Sequence, residues 1–261
     1  MTATELYKAG KLTEAIDAQL QEVKAHPADH GKRLFLFELL VFAGDLERAK
    51  KHVEIVNYGQ LELDAAVMAY RRLLDAEAAR RSFFKDGVPP KFFGEQPEHV
   101  HWRIEAWTRM REGRPAEAAQ CLAKADETAP PIRGKLDDRL FESFRDCDDL
   151  FGTVIEVMAQ NAYFWVPLEQ VETIQLTPPK TPRDLIWRPG RLEMKESAGN
   201  VFLPTLYPMT HEASDPNLKL GRLTDWKTVE GGPTLGVGTH LFLVDDHDIS
   251  ILEWKTLELG D

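Results

Sequence analysis

A short phrase recurs three times in this chain, and no other feature restricts the possible folds as much. It reads Gly10-Lys11-Leu12-Thr13-Glu14-Ala15, Gly44-Asp45-Leu46-Glu47-Arg48-Ala49 and Gly113-Arg114-Pro115-Ala116-Glu117-Ala118. The first two copies lie 34 residues apart and the third follows 69 residues later, two periods plus one residue. A glycine that permits a tight turn before a helical run, at this interval, marks stacked helix–turn–helix units of tetratricopeptide type. Such stacks present a binding surface, so the first expectation is a protein that holds something. Pro27 and Pro130 are 103 residues apart, the same offset as Gly10 and Gly113, so the register extends beyond the phrase itself.

The surrounding residues agree with helices. Leu12, Ala15, Ile16, Leu20 and Val23 fall at helical spacing before Pro27. The run from Leu34 to Phe42 is apolar nearly all round, as an inner helix of a stack must be. The missing copy is due near residue 78, where the sequence is Glu77-Ala78-Ala79-Arg80-Arg81 with no glycine. A longer helix over Asp64–Phe84 is therefore expected there, followed by a loop through Gly87-Val88-Pro89-Pro90. In a tetratricopeptide register, Leu34, Glu38 and Val41 of one helix, and Arg103, Trp107 and Met110 of another, face the groove. An aromatic, a methionine and an arginine together suit an amphipathic helical partner, although the same residue types at this spacing also build cores.

After about residue 150 the texture changes. Prolines cluster, and β-branched and aromatic residues replace alanine. Strand-like runs occur at Val171–Leu176, Arg191–Met194, Val201–Leu206, Thr239–Val244 and Ile249–Leu257, with Asp245-Asp246-His247-Asp248 as a hairpin loop. One helix is expected over Phe151–Asn161. Helices first and strands second predict a two-domain α+β protein. Its helical repeat domain is expected over residues 1–148, and a mostly antiparallel β-rich domain over residues 149–261.

Charge narrows the partners. The chain of 261 residues has a net charge of −11. Residues 1–150 carry 23 basic and 27 acidic side chains, and the remainder carries 9 and 16, so both halves are acidic. Neither offers a basic face for phosphate, which argues against nucleic acid and anionic membrane as partners. The start, Met1-Thr2-Ala3-Thr4-Glu5, has no basic region leading into an apolar run, and Cys121 and Cys147 are the only cysteines. Reduced thiols and a cytoplasmic location are expected.

Motifs for chemistry are weak. Glu98-His99-Val100-His101 puts two imidazoles on different faces of a helix and reads as a helix start, not as a metal site. Asp137-Asp138 and Asp146-Cys147-Asp148-Asp149 lack the glycine and closing glutamate of a calcium loop, and read as solvated acids. The glycines from Gly231 to Gly238 lead into a strand-like run instead of a phosphate-capping helix. Arg183, Asp184, Arg188, Arg191 and Asp225, near Trp187 and Trp226, form a candidate polar cluster. In an enzyme the arginines would clamp an anion and an aspartate would act as base; in a scaffold the same ions would link strand ends. No catalytic residue, metal or cofactor is assigned.

A set of phrases in the second half carries a resemblance. These are Asp148-Asp149-Leu150-Phe151-Gly152, Tyr163-Phe164-Trp165-Val166-Pro167, Pro182-Arg183-Asp184-Leu185-Ile186-Trp187, Leu203-Pro204 with Tyr207-Pro208, and Leu220-Gly221-Arg222 with Thr224-Asp225-Trp226. Behind a degenerate helical-repeat half, they resemble the ImpE family, also called TagJ or SciE, accessory proteins of bacterial type VI secretion systems. The resemblance implies a non-enzymatic adaptor. Its partners would be the N-terminal helix of the small sheath subunit, TssB, and the sheath-disassembling ATPase ClpV. The competing expectation is a ligand-binding or enzymatic C-terminal domain carried on a helical scaffold.

Overall fold

The computed structural model describes residues 1–260. Seven helices come first: α1 (Ala3–Lys8), α2 (Leu12–Ala25), α3 (His30–Phe42), α4 (Leu46–Glu54), α5 (Leu61–Asp86), α6 (Glu98–Arg111) and α7 (Pro115–Thr128). The three copies of the repeated phrase are the turns α1–α2, α3–α4 and α6–α7. Gly10, Gly44 and Gly113 take φ of +78°, +83° and +72°, the left-handed region that only glycine enters without strain. After each glycine the next N–H reaches back five residues: Lys11 to the Leu6 carbonyl, Asp45 to Leu40 and Arg114 to Arg109, each at 2.9 Å. This is the Schellman closure of a helix, so the phrase encodes one helix stop and the next helix start. The helix without a glycine at its midpoint is α5, which runs 26 residues and stops only at Gly87, φ +81°.

Arginines satisfy the carbonyls that four of these helices leave open. Arg222 donates to the carbonyls of Tyr7 (2.6 Å) and Lys8 (3.1 Å) at the end of α1. Arg81 donates to Gly44 (2.7 Å) beyond α3, Arg71 to Val53, Glu54 and Val56 at the end of α4, and Arg111 to Lys85 in α5. Arg222 lies in the second half of the chain, so that half helps to finish the first helix.

The strands are β1 (Gly134–Leu136), β2 (Arg139–Phe141), β3 (Phe144–Asp146), β4 (Val154–Ala159), β5 (Ala162–Pro167), β6 (Val171–Leu176), β7 (Trp187–Met194) and β8 (Ser197–Pro204). After a four-residue helix α8 (Pro216–Lys219) come β9 (Thr224–Thr228), β10 (Thr234–Gly238), β11 (Leu241–Val244), β12 (His247–Ser250) and β13 (Thr256–Leu259). Eight of them form one antiparallel sheet in the order β2-β1-β13-β6-β7-β8-β4-β5; β12-β11-β3 and the β9–β10 hairpin stand apart. The architecture is the expected α+β arrangement, with two local corrections. Residues 151–161 hold β4 and not a helix, because Val154, Ile155 and Val157 pair with β5 across a Gln160–Asn161 turn in which both residues have positive φ. Strands begin at Gly134, ahead of residue 148, because β1 takes its ladder from β13, more than a hundred residues away.

Alternation along β4 and β5 explains how the two parts meet. Ile155 and Val157 with Phe164 and Val166 point into the core between the large sheet and the β3–β11–β12 sheet. Val154, Met158, Tyr163 and Trp165 point the other way, into apolar clusters that also contain Leu73 and Phe83 of α5, Val100 of α6 and Ala118 of α7. Every residue of β5 is buried, as a strand covered on both faces must be. The free edge of β5 is closed by Lys91, whose N–H and carbonyl pair with Tyr163 and Trp165.

The turns also carry the docking of the C-terminal half. A Cβ on Gly44 would sit 2.4 Å from the His211 ring, whereas a Cβ on Gly113 would meet nothing within 4 Å. Gly113→Ala should therefore cost about 1–2 kcal/mol, the left-handed backbone penalty alone. Gly44→Ala should cost at least about 1 kcal/mol more in urea denaturation, because it also pushes the halves apart. Equal losses would show that Gly44 does not set the docking distance.

Candidate functional site at the seam between helices and sheet

The charged residues that are hardest to explain lie where α5 crosses the sheet. Glu156 sits on the helix-facing side of β4, only 3% exposed, and Arg80 of α5 meets it with two hydrogen bonds of 2.7 and 2.6 Å. Arg80 also donates to the Leu206 carbonyl at 2.8 Å, and the Tyr163 hydroxyl donates to Glu156. On the far side, His240 donates from Nε2 to Glu156 at 3.1 Å and from Nδ1 to Asp146 at 2.8 Å. Tyr207 Oη donates to the second Asp146 oxygen at 2.7 Å. Asp148 takes the N–H groups of Leu150 (2.8 Å) and Gly236 (2.6 Å), so that Asp146 and Asp148 fix the loops on both sides.

The charges balance. Arg80 and protonated His240 face Glu156 and Asp146. The arginine and the imidazolium hold the Glu156 carboxyl down at about 2, against the opposing effect of burial. Burial acts to lower the His240 pKa, but the two carboxylates override it and push it up to about 9. Burial, reinforced by the neighbouring Asp146 charge, pushes Asp148 up to about 8. An imidazole between two acids beside a tyrosine has the residue types of an acid–base centre. Nothing can reach it, however: the space beside Asp146, Glu156 and His240 is about 10 Å³, the size of one water at most. A second recess against Arg80, Glu77 and His211 is about 30 Å³.

A second polar contact crosses the same seam. Arg183, on the loop before β7, donates to Glu38 of α3 at 3.3 Å and lies over the Tyr70 ring of α5 at 4.1 Å. Burial raises the Glu38 carboxyl to about 7, because the Arg183 charge offsets desolvation only in part.

The sequence-derived candidates distribute as follows. Of the groove set, Glu38, Val41 and Arg103 are buried, and Leu34, Trp107 and Met110 are half-buried. Arg103 is fully enclosed and donates to the carbonyls of Asp149 and Leu150 and to Asp126. Trp107 donates to the Phe84 carbonyl. Glu38, Val41 and Arg103 meet the chain's own C-terminal half, whereas Trp107 packs on Phe84 within the helices. The polar cluster is dispersed. Arg183 reaches Glu38 and stays within 3.9 Å of Asp184, which itself accepts from Lys180 and Thr181 in its own loop. Arg188 is buried and donates to the Thr177 and Ile251 carbonyls, Arg191 pairs with Glu193, and Asp225 caps Trp226 on an exposed hairpin. Asp146 and Asp148, expected in solvent, are 2% exposed. Their partner His240 had no signal of its own, being 94 residues from Asp146. Among the described residues no group of three or more His, Cys, Asp or Glu side chains is placed to hold a metal ion.

The network makes stability depend on pH in a definite direction. The folded chain holds the His240 proton up to about pH 9, whereas an unfolded histidine releases it near 6.5. The stabilisation is complete below about pH 6.5 and is lost as pH rises through about 9, a change of roughly 2–3 kcal/mol. Urea denaturation at pH 6.5 and 9.5 should show at least this loss, since Asp148, raised to about 8, releases its proton in the same window and adds to it. His240→Gln should abolish the share carried by the imidazole, roughly 2–3 kcal/mol. Arg80→Met, which leaves Glu156 without its main countercharge, should cost about 3–5 kcal/mol at pH 7; a loss below about 1 kcal/mol would mean that the pair does not hold the seam.

The sequence and the arrangement of helices and sheet have counterparts in other proteins. The model of the ImpE protein family matches residues 138–258. The type VI secretion system accessory component TagJ of Pseudomonas aeruginosa is 32% identical over 99% of this chain and 91% of its own length. A crystal structure of a Vibrio parahaemolyticus protein superposes with a TM-score of 0.90 at 24% identity, covering 99% of this chain and 97% of that one, which establishes the shared fold. By its match to the family model and its identity to TagJ along nearly its whole length, this chain belongs to the ImpE family.

Proposed function

We propose that this protein is an accessory component of a bacterial type VI secretion system and acts in the cytoplasm by holding another protein. The observation that carries the reading is the 32% identity to TagJ, an accessory component of such a system, across 99% of the chain. Burial supports holding over turnover: the one arrangement resembling an acid–base centre has about 10 Å³ beside it, too little for a substrate.

The partner in this reading is the N-terminal helix of the small sheath subunit, a TssB-like protein, and the act of holding it serves ClpV-dependent sheath disassembly. An open groove of about 500 Å³ between α1, α2 and α3, lined among others by Ala3, Ala18, Gln19, Lys32 and Phe35, supports it. Amphipathic helices seat apolar anchors in grooves of this kind, and the ring of Phe35 is the natural contact. No helix among the described residues is long and apolar enough to cross a membrane.

Titration of a peptide of the sheath subunit's N-terminal helix into the full chain should give a dissociation constant below about 100 μM. Phe35→Ala should weaken it about tenfold, the loss of one aromatic anchor. Leu140→Ala, on the exposed β2 edge, should leave it unchanged. Absence of binding at that concentration, or equal effects of the two substitutions, would contradict the reading.

A further inference from the structure

The charged side chains of the seam are not held alike. Arg80 makes three hydrogen bonds, two of them to one carboxylate. Arg103 is fully enclosed with three partners, and Arg188 donates to two carbonyls. Arg183 makes one hydrogen bond, to Glu38 at 3.3 Å, keeps a looser ion pair with Asp184 at 3.9 Å, and stacks on Tyr70. Its side chain is still 22% exposed. Of these arginines, it is the one most easily withdrawn.

What receives it is fixed. Glu38 projects from the middle of α3, between Phe37 and Leu39, which are fully buried. Its side chain is 7% exposed, and Arg183 is the cation within salt-bridge distance of it. Tyr70 supplies the flat face on the neighbouring α5 and is 7% exposed. A carboxylate and an aromatic face at right distance from one cation favour a guanidinium over an ammonium, because only the planar group can stack and donate at once.

The occupant comes from a stiff hook. Pro178, Pro179 and Pro182 restrict the loop, and Asp184 Oδ2 accepts from the N–H groups of Lys180 (2.8 Å) and Thr181 (2.9 Å). The loop's end is pinned by the Thr205 N–H on the Ile186 carbonyl at 2.9 Å. Emptying the recess therefore requires a rotamer change of Arg183 and no movement of the loop. Phe35, which lines the open groove, stands one turn before Glu38 on α3.

We propose that Glu38 and Tyr70 form a guanidinium-binding recess, that Arg183 is its built-in occupant, and that a partner helix in the α1–α3 groove inserts its own arginine there in place of Arg183. The inference rests on the reading that a partner helix lies on the helical half. The built-in arginine scales the apparent affinity of any competitor by the fraction of time that the recess stands empty, and so selects partners that carry both an apolar anchor and an arginine.

The test uses full-length protein and a small probe, N-acetyl-arginine methylamide, with the lysine compound as control, followed by NMR titration. Arg183→Ala should bind the arginine probe at least about tenfold more tightly than the unaltered chain. It should prefer arginine to lysine by about fivefold or more, and the double variant R183A/E38Q should lose the gain. Should R183A not fold, R183K serves, and it should show a smaller gain of the same sign. No gain in the folded variant, equal binding of the two probes, or a gain that survives E38Q would overturn the proposal. The probe contains no sheath sequence, so a sheath helix that fails to bind the unaltered chain counts against the proposed partner and not against the recess.

Discussion

The bidentate pair between Arg80 and Glu156 is the contact on which the two parts of this protein depend. A charged strand residue facing a helix is costly to bury, and here the cost is offset only because an arginine from α5 arrives with matching geometry. That geometry requires α5 to run straight through the position where the helical repeat would otherwise turn. The absence of a glycine near residue 78 is thus tied to the seam: Glu77, Arg80 and Arg81 occupy the place of a turn and all three reach beyond their own helix turn. Breaking the repeat in its middle is what lets the sheet dock.

Docking has a consequence for binding. Glu38, Val41 and Arg103, which in an isolated stack of helices would face a partner, are covered by the chain's own loops and strands. The C-terminal half behaves as a resident ligand of the helical half. The open groove lies where that coverage ends, along α1, α2 and the first turns of α3. Arg183, still 22% exposed, belongs to that contact through Glu38 and Tyr70.

Local rules made much of the fold legible. The three glycines marked three left-handed helix stops because a tight turn after a helix admits few other residues, and Val171–Leu176 alternated clearly enough to be placed as β6. Residues 151–161 misled because β4 is buried on both faces, and a strand covered twice loses the alternation that distinguishes it from a helix. β1 to β3 were invisible because three-residue strands owe their existence to partners far along the chain. The site was less legible than the fold. Arg183 was singled out, but its partner Glu38 is 145 residues away and had been assigned to a different surface. Asp146, Glu156 and His240 come from three strands or strand ends, and only their convergence shows that they form one network.

The helices and the sheet form one cooperative structure held across the seam. Native-state hydrogen exchange in increasing denaturant tests it most directly, by comparing the amides of α3 and α5 with those of β4 and β7. All four should merge into a single opening of the same free energy and denaturant dependence. Helices that open at a distinctly lower free energy while β4 and β7 stay protected would contradict it.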